Sequence, residues 1–174
     1  MVAGAIGREL IVEYFDRATR RFRSPWVFYA AVIAVVILPM LAVATLSDLA
    51  GEPSGGSADV LRNLMTGSGA ALFLGIVVVP LIETFIMWAV IAISISLSRN
   101  SDLAIVLSSA ILMLLHRPGG IGKAVTIAWP FLVWGALLLS RRFESRARAF
   151  ATVWSLHAAQ NAVLISFIFA IANT

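Results

Sequence analysis

The chain has 174 residues, of which 60% are hydrophobic and 13% charged, with a formal net charge of +4 and no cysteine. Soluble domains carry about a quarter charged residues, so the composition excludes an ordinary water-facing core and shell. The missing cysteines exclude disulfides and thiolate metal sites.

The first 24 residues are rich in charge. Ile6, Leu10, Ile11, Tyr14, Phe15, Ala18 and Phe22 fall on one side of a helix there. This predicts an amphipathic helix over 1–24, lying at the cytoplasmic membrane interface or docked on a partner. Five apolar blocks follow: 25–47, 70–97, 103–116, 124–140 and 149–172. About 20 apolar residues cross a bilayer core, so four blocks read as spans and 103–116 as a short one. "GEPSGG" at 51–56 reads as a loop. The expected fold is all-α: a polytopic membrane helical bundle of about five spans, residues 25–174, behind the N-terminal helix.

With five alternating spans, Arg8, Arg17, Arg20, Arg21, Arg23, Arg99, Arg141, Arg142, Arg146 and Arg148 fall on one side. Arg62, Arg117 and Lys123 fall on the other. The bias puts the N-terminus in the cytoplasm. It assigns the arginines to topology and anionic lipid rather than to nucleic acid.

Inside the apolar blocks, polar groups are few. Glu83 interrupts "PLIETFIMWAV", His116 ends the third block, and His157 and Asn161 sit four apart in the last. A charge at mid-bilayer costs on the order of 3 kcal/mol, so Glu83 needs a partner or a function. At about 1.5 Å per residue, Glu83 lies roughly 21 Å, His116 roughly 20 Å, and His157 and Asn161 roughly 12 and 18 Å from the cytoplasmic ends of their spans. These groups therefore converge in depth. Taken singly, a histidine or asparagine there is also what a helix–helix hydrogen bond uses.

"PLIETFIMW", "SSAILMLLH" and "SLHAAQN" resemble the three motifs of the CAAX-processing and bacteriocin-processing intramembrane proteases, the family of the Ras-converting endopeptidase. Glu83 matches the first glutamate of their glutamate pair, with Pro80 before it. His116 matches the second motif, with Leu112 where phenylalanine is usual, and His157 and Asn161 match the third. Thr84 and Trp88 stand where the family has its second glutamate and its arginine. Those two positions are four apart, and in relatives they would form a buried ion pair that is lost here as a unit.

The resemblance implies an integral protein of the bacterial plasma membrane that hydrolyses a peptide bond within the bilayer. Glu83 would act as general base on water, His116 would hold that water, and His157 and Asn161 would donate to the oxyanion. It also admits a divalent metal such as zinc, held by Glu83, His116 and His157 as a three-ligand site. The partners expected are the lipid bilayer and a membrane-embedded peptide, protein substrate or partner subunit. Two other classes fit the same residues: an inactive relative serving as membrane scaffold or accessory subunit, and a proton-coupled carrier.

Overall fold

The structure is a computed structural model. It describes residues 10–22, 24–49, 69–116, 120–140, 143 and 145–172, leaving aside the side chains of 43–49, 120–125, 168 and 171–172. Residues 1–9 of the expected N-terminal helix, the "GEPSGG" loop, and Arg8, Arg23, Arg62, Arg117, Arg141 and Arg142 lie outside this set, as does the Lys123 side chain.

All regular structure among the described residues is helical. The helices are α1 (Leu10–Arg20), α2 (Pro25–Leu49), α3 (Gly69–Ser98), α4 (Ser101–Leu115), α5 (Gly120–Leu139) and α6 (Arg146–Ala172). Two of them, α2 and α3, are long and apolar enough to cross a membrane; apolar stretches at Ser101–Leu115 and Thr126–Leu139 are shorter.

Helix α5 is the hub. Phe131, Val133, Trp134, Ala136, Leu137 and Leu138 are all buried, because α2, α3, α4 and α6 all pack against this helix. Gly135 lets them close in: a Cβ there would stand 3.1 Å from Ile105 of α4 and 3.5 Å from Ile91 of α3. Small residues at such crossings let helix backbones approach closely.

Short connections fix the order of the helices. Arg99 ends α3 in the left-handed conformation (φ 55°), its N–H donating to the Ile95 carbonyl. Asn100 then caps α4 by accepting from the Leu103 N–H at 2.9 Å. At this same end Arg146 donates to the Leu138 carbonyl, and α1 docks.

Helix α1 is held otherwise than its apolar stripe suggests. It buries Val12, Asp16 and Thr19, while Leu10 and Tyr14 are 73% and 70% exposed. Polar bonds decide the rotation. Ser140 donates to Asp16, and the Ile11 N–H lies 3.2 Å from a carboxylate oxygen of Asp102. These bonds offset the burial of a carboxylate, so the helix turns Asp16 inward and part of its apolar face outward.

Prolines enter three helices at Pro39, Pro80 and Pro130. Pro39 has no N–H for the Val35 carbonyl, and the Trp129 indole donates to that carbonyl at 2.9 Å. In α3 the distortion is larger. Leu74–Val78 form a π-helical turn, a geometry found mostly as single turns and often at functional sites.

Candidate active site

Three helices deliver the three titratable groups to one point. Glu83 lies one turn past Pro80 in α3, His116 caps α4, and His157 lies in the middle of α6. The carboxyl is held between the two rings. His116 Nε2 is 2.9 Å from Glu83 Oε1, and His157 Nε2 is 3.3 Å from Oε2. The Glu83 and His157 side chains are 14% and 5% exposed, that of His116 32%. Glu83, His116, His157 and Asn161 all line a single cavity of about 580 Å³.

Phe131 sets the spacing of the rings. Its centroid is 5.7 Å from both His116 and His157, and Trp134 stacks on the far side of His157 at 6.1 Å. The cavity walls also carry Pro130 and residues beside the other two prolines, Met40 and Val79. Space for a ligand therefore lies where the helical ladders are interrupted.

The hydrogen-bond pattern fixes protons. His116 Nδ1 is 2.7 Å from the Leu112 carbonyl oxygen. A carbonyl only accepts, so Nδ1 carries hydrogen. A proton must then lie on the Glu83–His116 axis as well, giving either carboxyl with imidazole or carboxylate with imidazolium. His157 Nδ1 is buried with no partner among the described residues, so the favourable tautomer carries its proton on Nε2, facing Oε2. The chain has only two histidines, which makes this directly measurable. In ¹⁵N spectra of labelled protein in micelles, His116 should show a protonated Nδ1 and His157 a protonated Nε2. Glu83→Gln should leave the His116 Nδ1–H in place.

Asn161 has a task in the backbone of α3 that its motif does not announce. Its Nδ2 donates to the Gly75 carbonyl at 3.0 Å. In the π turn the Val79 N–H goes to Leu74 O. The next N–H in that wide register would reach Gly75 O, but residue 80 is proline. Asn161 supplies the missing donor, and two turns earlier in α6 the Trp154 indole donates to Val77 O at 3.1 Å. Two side chains of α6 thus secure the distorted turn just ahead of Glu83.

Thr84 and Trp88 part company. Thr84 is fully buried and its hydroxyl has no partner among the described residues. Trp88 is 41% exposed and packs on Phe85. No group of three or more His, Asp or Glu among the described residues is arranged to hold a metal ion. The two ring nitrogens face different oxygens of one carboxyl.

Phe131, Trp134 and Gln160 belong to the site or its walls and were not legible as such. Their only signals are "WPF" around a helix-interior proline and the "HAAQN" string. No protein-family model, curated protein or solved structure matches the chain.

Proposed function

We propose that this protein is a glutamate-dependent intramembrane endopeptidase, related to the CAAX-processing and bacteriocin-processing proteases. The observation that carries this reading is a single carboxyl held between two imidazoles from separate helices, at the wall of a mainly apolar cavity. The membrane setting is part of the proposal. Large apolar side chains such as Leu38, Phe85, Ile93 and Leu114 are more than half exposed, which suits lipid rather than water. The five-span reading with the N-terminus in the cytoplasm is supported by Arg99 and Arg146, which lie at the end of the bundle where α1 docks.

In the carboxylate–imidazolium form Glu83 is a base and His116 an acid. Glu83 takes one proton from water as its oxygen attacks the peptide carbonyl carbon, and the C=O electrons move onto oxygen. Once Glu83 is protonated, the Nε2–H groups of His116 and His157, which face Glu83 in the resting site, turn to that developing charge. When the tetrahedral species collapses, the C–N bond breaks and the amine leaves with a proton from His116. The proton held by Glu83 returns to His116, which restores the pair. Asn161 acts by positioning, through Gly75.

The test is cleavage of membrane-embedded peptides by purified protein in vesicles, read by mass spectrometry in H₂¹⁸O. One ¹⁸O should enter the new carboxyl, and cleavage should depend on Glu83. Absence of cleavage together with retained partner capture would instead favour the scaffold reading, which the lost acid at Thr84 supports.

A further inference from the structure

Gln160 lines the cavity, is 3% exposed, and is poorly paired at both ends of its amide. Nε2 donates to Met40 Sδ at 3.4 Å, and a thioether is a weak acceptor. Oε1 is enclosed with no partner among the described residues. Buried amides in folded proteins are normally satisfied, and each exception calls for an explanation. Asn161, the adjacent residue, has a structural bond to Gly75; Gln160 has no equivalent.

The cover over Gln160 is soft. Met40 itself lines the cavity, and an unbranched thioether side chain repacks readily. We propose that Gln160 is the ligand-reading group of this cavity, and that it reads the backbone N–H and C=O of one residue in an extended peptide. When Met40 moves aside, Oε1 accepts from the N–H of one ligand residue and Nε2 donates to the C=O of that same residue. An extended peptide presents the N–H and C=O of one residue side by side on the same edge. An ester lacks the donor, and an ammonium group lacks the acceptor. Gln160 stands three residues from His157 on α6, about 5–6 Å away on a helix surface. Extended peptide advances about 3.3–3.6 Å per residue. A peptide group paired with Gln160 therefore places a neighbouring one against Glu83. The inference rests on the hydrolase reading only for which bond is cut.

The probe is N-acetyl-leucyl-leucine N-methylamide, compared with its depsipeptide in which the leucyl–leucine N–H is replaced by oxygen. Binding to protein in micelles is read by saturation-transfer NMR. The wild type should prefer the amide by roughly tenfold or more, the scale expected where a site's buried polar groups would otherwise stay unpaired. Gln160→Leu and Gln160→Met should bind both probes alike. Their thermal midpoints should equal or exceed that of the wild type, because an apolar chain of similar size replaces one unsatisfied and one weakly paired polar end. A side chain that served only to hold the fold would lower the midpoint. Retention of the amide preference in both variants, or its absence in the wild type, overturns the inference. Amide preference that depends on Gln160 without any cleavage would keep this inference and sink the hydrolase. Glu83-dependent cleavage with no role for Gln160 would do the reverse.

Discussion

Glu83→Gln is expected to lower peptide cleavage by roughly 10²–10⁴-fold, the usual weight of a general acid–base group, with the fold unchanged. The wild-type carboxyl faces one ring nitrogen whose partner Nδ1–H is already committed and another that favours carrying hydrogen. A glutamine amide meets both demands: its NH₂ donates to His116 Nε2 and its oxygen accepts from His157 Nε2–H. The network stays complete while the base is lost. Glu83→Ala differs, because it leaves both imidazoles without their shared partner. Breaking a buried pair from one side costs about 3–5 kcal/mol, so this variant should lose stability as well as activity. Parallel mass spectrometry and thermal unfolding in micelles check both outcomes. A Gln variant that cleaves at the wild-type rate would remove Glu83 from the chemistry.

The second large effect concerns a bond some distance from the reacting atoms. Asn161→Leu should destabilise the protein by about 0.5–1.5 kcal/mol, the net worth of one hydrogen bond, here the one to the half-buried Gly75 carbonyl. It should also reduce cleavage, since the π turn leads directly into the turn that carries Glu83. Pro80→Ala, by contrast, restores an N–H in the register that reaches Gly75 O. In the double variant Pro80→Ala/Asn161→Leu much of the lost stability should return. A double-mutant cycle should give a coupling of about 0.5–3 kcal/mol, as for residues that share a partner. Additive effects would mean that Asn161 and Pro80 do not serve the same carbonyl.

The four site residues named from sequence line one cavity, because depth along a helix is simple arithmetic and intramembrane polar groups are scarce. Their bonding was not legible. The motif suggests that Asn161 donates to an oxyanion, and the structure shows one donor of its amide going to Gly75. The π turn that creates this need is an irregularity of hydrogen-bond register, which residue periodicity does not encode. Pro80 was the visible half of that device, and the donor that completes it comes from a helix more than 80 residues later. Likewise the apolar stripe of α1 was legible but its rotation was not, since Asp16 finds Ser140 only after α5 is in place.

Composition and periodicity by themselves determined that the described chain is helical, where its helices start and stop to within a few residues, and which rare polar groups needed an explanation. These follow from local rules: apolar run length, charge at the boundaries, and the cost of polar groups away from water. Only the tertiary structure decided that one carboxyl joins two imidazoles, that Phe131 spaces them, and that the Gln160 oxygen beside them has no partner among the described residues. Those facts depend on how helices rotate and cross, which is set by contacts such as Gly135 against Ile105 between residues distant in the chain.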